Sequence, residues 1–420
     1  MSRNTFIINS LFILLVALPL RAQYLFVPMD DAQTDHLKAY GLVYAVLTAG
    51  ENAEWLLNYR AGSFLFKDNP VFYRKARLMG VTVEKISESQ AAAIYKKVDK
   101  SNCERIYLEK PPKVAVYSPA WAAPWDDAVT LALTYAEITY EKIWDKEVLS
   151  GDLSRYDWLH LHHEDFTGQF NRFVYSYAGA PWYQKQVALF TQLAKDAGYA
   201  SVREHKGAVS RMIQKYVADG GFLFAMCAAT ETIDVALSLG GVDFVPPEID
   251  GTPIEAGWEK RIDYSKSFAF TGFTVNAGNG INPFSDIDFN WVNSPAKVLI
   301  TDFDLFNFSA KIDPVPCMLN QCHASTLKGF YGITSTFRRK RIKDSVTILA
   351  ETPGSDSVRY LHGNFGKGSF TFYGGHDPED PNHYIEDMPT ELTLHKNSPG
   401  YRLILNNVLF PAAKKEKKKT

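Results

Sequence analysis

Three short stretches of the chain carry residues able to make or break covalent bonds. The first is Cys227, which directly follows the apolar run 222–226 and precedes the helical stretch 228–238. A thiol on such a strand-to-helix turn stands at the carboxyl end of a parallel strand, where open α/β sheets bind ligands. The helix N-terminus would lower its pKa and offer backbone N–H groups to an oxyanion. The competing reading is an inert buried cysteine, since free cysteine packs as a small hydrophobe. The second stretch, Gly374 to Asp380, follows the apolar run 369–373. Paired glycines let its backbone turn tightly and approach a ligand. His376 would be held there with Asp377 or Glu379 close enough to orient it, and an oriented imidazole is the base a thiol nucleophile needs. Asp and Pro also build plain surface turns, which is the alternative.

The third stretch is His160, Leu161, His162, His163, Glu164 and Asp165, which concentrates three of the ten histidines within four residues. Strand alternation would put His160 and His162 on one face and His163 on the other. His162 and Glu164, with His160 behind them, suit a divalent metal, the candidate cofactor, while His163 and Asp165 suit an acid–base pair. A purely structural hydrogen-bonding role competes, because no HExxH spacing is present. Asp30, Asp31, His36, Asn58, Arg60, Trp121, Trp125, Asp126 and Asp127 also follow predicted strands and are weaker cleft-lining candidates.

The elements that must position these residues follow from hydrophobic periodicity. A strand at 24–27, a helix over 37–47, a strand at 53–57, a helix over 72–79, a strand at 81–83 and a helix over 88–98 predict a first α/β domain. The prediction is a parallel, Rossmann- or flavodoxin-like sheet over 23–111. The pattern restarts with strands at 113–117, 158–161 and 222–226 and helices over 126–135, 183–197 and 208–218. This defines a second, larger α/β domain over 112–410. Residues 241–336 change character, rich in aromatic, Asn, Asp, Gly and Pro residues, and read as a β- or loop-rich insert. Strands at 346–350, 358–361 and 369–373 and a helix over 400–409 close the domain.

Composition narrows the class of protein. Hydrophobic residues make up 46% and charged residues 22% of the chain, enough for large cores. The formal net charge of −2 offers no general attraction for nucleic acid. Arg3, the apolar run 11–18 and Ala22 read as a cleavable signal peptide over 1–22, with an uncleaved membrane anchor as the alternative that the short, interrupted run disfavours; this predicts a periplasmic or secreted protein. No later run is long enough to span a bilayer as a helix. The basic tail over 411–420 reads as solvated. In an oxidising compartment the neighbours Cys317 and Cys322 could bridge, or remain separate thiols.

The turn Ala225, Met226, Cys227, Ala228, Ala229 and the later His376, Asp377, Pro378, Glu379 resemble the class I glutamine amidotransferase-like superfold, including its trehalose-utilisation-protein branch. The resemblance spans 113–409, with 241–336 unmatched. It implies Cys227 as nucleophile, His376 as base and Glu379 as orienting acid. Alanines replace both glycines of that superfold's G-x-C-x-G turn, and one residue is inserted between His376 and Pro378. His162 to Asp165 stand where a Gly-Gly-Pro oxyanion loop belongs. Over 28–41, 55–63, 125–169 and 374–387 the chain also resembles a group of exported bacteroidete proteins that carry the label asparagine synthetase B. That label implies no synthetase here: Gln23 heads the mature chain in place of a catalytic cysteine, and no SGG-x-DS pyrophosphate loop occurs. The expected function is a hydrolase or lyase on a small polar or carbohydrate substrate. Its rival is a non-catalytic binding protein whose two α/β domains clamp a ligand or glycan.

Overall fold

The computed structural model describes residues 23–119, 127–278, 284–289, 301–381 and 388–413. The predicted signal peptide, Trp121, Trp125, Asp126 and most of the basic tail lie outside them. Among the described residues no helix is long and apolar enough to cross a membrane.

The N-terminal sheet contains β1 (Tyr24–Val27), β2 (Ala53–Leu57), β3 (Ser63–Lys67), β4 (Glu84–Ile86) and β5 (Glu104–Leu108), in the order β4-β1-β3-β2-β5. Every pairing in it is antiparallel, which corrects the parallel, Rossmann-like expectation for this region. The cause is local. Only five residues join β2 to β3, too few for the crossover that parallel neighbours require. Asn58, Arg60, Ala61 and Gly62 all turn the chain with positive φ, from 46° to 86°. No Asn-Gly or Asp-Gly pair announces this hairpin, so 63–67 was not expected as a strand. The strand anticipated at 81–83 begins instead at Glu84.

The second sheet contains β6 (Val114–Tyr117), β7 (Glu141–Ile143), β8 (Trp158–Leu161), β9 (Phe222–Met226), β10 (Phe303–Leu305), β11 (Thr326–Leu327), β12 (Phe337–Arg338), β13 (Thr347–Glu351), β14 (Ser357–Phe365) and β15 (Gly368–Tyr373). It is mixed. One half, β7-β6-β8-β9-β15, is parallel throughout. Numbered along the chain this is the order 2-1-3-4-5, and its direction of winding reverses between β6 and β8, where such sheets open a crevice. β6, β8 and β9 are buried along their whole length, as expected for strands covered by helices on both faces. The other half, β14-β13-β10-β11 with β12 paired to β14, is antiparallel and begins at the two-residue turn after Phe365.

The helix Pro399–Leu409 joins the two sheets. All its residues after Pro399 are buried, and the side chains of Leu405 and Val408 share one apolar core with Leu37 and Tyr40 of the helix His36–Thr48 and with Phe224 of β9. Arg402, fully buried, donates to the Met29 carbonyl at 2.8 Å, to the Tyr40 hydroxyl at 3.1 Å and to the Ala61 carbonyl. Cys317 and Cys322 are separate thiols, so the alternative of a bridge is not taken up. Burial pushes the Cys317 thiol up to about 12, and its sulfur lies 3.3 Å from Asn58 Oδ1.

In this interface the helix His36–Thr48 lies directly against the backbone of Ala136 at Gly41. A Cβ added there would sit 1.6 Å from the carbonyl oxygen of Ala136. Gly41→Ala is therefore expected to force the two segments apart and cost about 1–3 kcal/mol or more, as overpacking does. Denaturant unfolding of the variant measures this, and an unchanged midpoint would show that the contact yields freely.

Candidate functional site

The site is built where the winding of the parallel half reverses. Asp127 follows β6 and caps the helix Ala128–Tyr135, its Oδ1 accepting from the backbone N–H of Val129 at 2.7 Å and of Thr130 at 3.2 Å. The same carboxylate meets two imidazoles from the end of β8: His160 Nε2 at 3.3 Å and His162 Nδ1 at 3.4 Å. His160 turns its other nitrogen to the Phe224 carbonyl of β9 at 3.1 Å. Burial alone would push the Asp127 carboxyl up, but the two imidazoles hold it well below the ordinary carboxylate range. Burial pushes His162 below the ordinary imidazole value, with Asp127 opposing and His160 and His163 adding to it. Asp127 stays ionised, and the carboxylate facing Nδ1 assigns the His162 proton to that nitrogen. The lone pair then lies on Nε2, which faces His376 Nδ1 at 2.9 Å.

Cys227 stands on the turn between β9 and the helix Cys227–Ser238, with φ of +49°. A non-glycine residue in that region stores strain that the surroundings must hold. Those surroundings are the other two motifs. The Cys227 N–H donates to the Gly375 carbonyl at 3.1 Å, and the Ala229 N–H to the His162 carbonyl at 2.9 Å. All three predicted stretches therefore converge at adjacent strand ends. The thiol itself is almost fully buried, 1% exposed, and its sulfur accepts from the Ile333 N–H at 3.2 Å.

The individual pairings differ from those anticipated. Glu379, assigned by resemblance to orient His376, pairs instead with His395 Nδ1 at 2.9 Å, because the turn after His376 carries its side chain toward the segment before the last helix. Asp377 is engaged by Tyr401 and Thr390. β8 ends at Leu161, so strict alternation does not extend to His163, and its ligand nitrogen groups with those of His162 and His376, all within 4.8 Å of one another. Glu164 is not in that group; its Oε2 accepts from the His162 N–H at 3.2 Å. Asp165, expected to pair with His163, spends its oxygens on the turn that follows, accepting from Thr167 at 2.7 Å and Asn171 at 2.9 Å. A small cavity of about 60 Å³ opens beyond His163, lined by Trp144, Glu164, Asn171, Phe190 and Lys206 among others. A larger cavity, about 930 Å³, lies at the opposite ends of the strands beside Asp157, Phe222 and Gly368, away from these residues.

Two contributors escaped the reading of the sequence. One is the central role of Asp127, visible there only as one of several polar residues after a strand. The other is the segment 330–336 inside the insert. Its carbonyls at Thr334 and Tyr331 accept from the Gly375 and His376 N–H groups at 3.0 and 2.6 Å. Buried Arg359 of β14 grips its two ends through the carbonyls of Phe330 and Ser335. Gly332 is required there, since a Cβ would lie 2.8 Å from the Gly375 backbone. No local sequence signal marks a loop whose role is to touch a strand end far along the chain.

No family model and no curated protein matches this chain. Among solved structures, it is similar to two cytoplasmic proteins of Salmonella typhimurium at 11% and 12% identity, covering 72% of this chain and 100% of each, both with a TM-score of 0.35. It is also similar to a beta-galactosidase from Bacillus circulans sp. alkalophilus at 11% identity, over 65% of this chain and 29% of that one, with a TM-score of 0.27. Similarities this distant assign neither fold nor activity to the chain.

Beneath the thiol turn, Glu231 is buried and accepts from the Ser285 hydroxyl at 2.6 Å and the Thr334 hydroxyl at 2.9 Å. Burial raises its pKa from 4.5 to about 7 against the pull of those hydroxyls. The folded protein thus holds a proton that the unfolded chain releases between those values, so this group's stabilisation is present below 4.5 and is lost as pH rises to about 7. Unfolding midpoints of wild type and Glu231→Gln, compared across that window, should diverge as pH rises, with wild type losing stability relative to the variant. Parallel pH profiles would place the Glu231 titration outside the window.

Proposed function

We propose that the chain is an exported hydrolase or lyase acting on a small polar or carbohydrate substrate at the carboxyl ends of an amidotransferase-like parallel sheet. The observation that carries this reading is the 2.9 Å contact between His162 Nε2 and His376 Nδ1, backed by the Asp127 carboxylate on the far side of His162. A buried carboxylate behind an imidazole fixes its tautomer and strengthens its outer nitrogen as a base or a ligand. That nitrogen faces the His376 ring, and the two imidazoles together make a centre that activates water or withdraws a proton from a bound substrate. The strand order 2-1-3-4-5, the crevice between β6 and β8, and the strained Cys227 turn support the amidotransferase-like assignment.

The reaction is assigned to the imidazole pair and not to the thiol. Cys227 is sealed from solvent, and Glu379, the orienting acid that a thiol mechanism by resemblance requires, is paired with His395. The strained turn then acts as a positioning device, since its N–H groups tie together the backbones that carry His162 and His376. Hydrolysis suits an exported protein, because it needs no ATP.

Chromogenic esters, amides and glycosides of small polar acids and sugars form the test panel. With any substrate that turns over, His376→Ala and His162→Ala are each expected to lower kcat/KM about 100-fold or more, the scale of a lost acid–base group. Turnover that survives both substitutions sinks the proposal. Saturable sugar binding without turnover of any member would replace it with the binding-protein reading.

A further inference from the structure

We infer that His162, His163 and His376 form a three-nitrogen site for a divalent transition metal of the zinc class, with a further coordination position open to water. The inference uses side chains of the proposed active site but stands without turnover. One nitrogen from each ring lies within 4.8 Å of the other two. Ligand nitrogens about 2.0–2.1 Å from one metal are roughly 2.9–3.4 Å apart across tetrahedral to octahedral angles. His162 Nε2 and His376 Nδ1 already stand 2.9 Å apart. His163 is only partly buried, and metal binding would draw its ring in by the remaining distance.

The surroundings supply what such a site needs. A metal-binding histidine commonly gives its second nitrogen to a carboxylate, which fixes the ring and raises its basicity. His162 Nδ1 meets Asp127 in this way, and Asp127 is itself held by two backbone N–H groups and by His160. A second cluster, Asp127 with His160 and His162, has comparable spacing. All three of its members are buried, its carboxylate already serves as a helix cap, and His160 Nδ1 is turned to the Phe224 carbonyl. The outer trio has partly exposed members, hence a route of entry, and that assigns the metal to it. An all-imidazole ligand set suits zinc, copper, nickel or iron, and not calcium or magnesium. A water on the remaining position of a zinc held by three imidazoles would ionise near neutral pH.

The test uses the purified full chain, stripped with a chelator and titrated with zinc chloride, and separately loaded with Co²⁺ for its visible spectrum. One Zn²⁺ per chain is expected, with a nitrogen-ligated Co²⁺ spectrum that lacks a thiolate-to-metal band. His163→Ala and His376→Ala should each weaken Zn²⁺ binding about 100-fold or more, and Asp127→Asn about 10- to 100-fold. Thermal melting confirms that each variant is folded. His163→Ala, at a partly exposed position, keeps the test usable if the others unfold. Wild-type protein that binds no Zn²⁺, affinity unchanged in folded His163→Ala, or a thiolate band from Cys227 each overturn the site. Metal binding without turnover of any panel substrate would sink the hydrolase reading and leave this one; turnover untouched by metal stripping in a protein that binds no Zn²⁺ would do the reverse.

Discussion

A carboxylate taken out of water must be surrounded by polar partners, and Asp127 has four. Two are backbone N–H groups at the start of the helix Ala128–Tyr135, and two are imidazole nitrogens from the end of β8. The helix N-terminus favours the negative charge, and the charge in turn fixes the rings. Much of the site depends on this one buried anion. It sets the His162 tautomer, and the tautomer leaves Nε2 with a lone pair toward His376. It also ties the start of the helix Ala128–Tyr135 to the end of β8, beside the point where the sheet reverses its winding. An uncompensated group there would be costly, since removing one partner of a buried charged cluster leaves the other desolvated and unpaired.

Around that anion the backbone does a second job. The turn at Cys227 is held in a left-handed conformation that a non-glycine residue adopts reluctantly. Its N–H groups reach the carbonyls of Gly375 on one side and His162 on the other. The segment 330–336, gripped by Arg359, closes over the His376 turn from the insert and reaches the thiol through Ile333. The imidazole pair is thus positioned by three pieces of main chain, which are more rigid than side-chain supports. Farther out, Arg402 and the helix Pro399–Leu409 lock the antiparallel N-terminal sheet onto this half, with Gly41 leaving room for the backbone of Ala136.

Much of the parallel half was legible in the sequence. The buried run 222–226, the helix after it and the strand before Gly374 are short-range patterns, and each motif lies at the strand end expected of it. The N-terminal sheet was misread because its β2–β3 turn uses Asn58, Arg60 and Ala61 in positive φ without the usual glycine pair. Asp127 was legible only as a polar residue after a strand. Its importance comes from His160 and His162, which no local window contains. Glu379 shows the opposite failure: proximity in sequence suggested a partnership with His376, and the turn directs its carboxylate to His395.

By itself the sequence determined where the reactive residue types lie and which local element carries each of them. Hydrophobic period, helix caps and turn chemistry act over a few residues, so they can be read from a few residues. Only the tertiary structure decided who meets whom. His162 and His376 are 214 positions apart, and their 2.9 Å contact exists because β8, β9 and β15 pair in parallel register and end together. Strand order is a property of the whole buried sheet, set by packing and connection length summed over the chain, and no segment of the sequence encodes it alone.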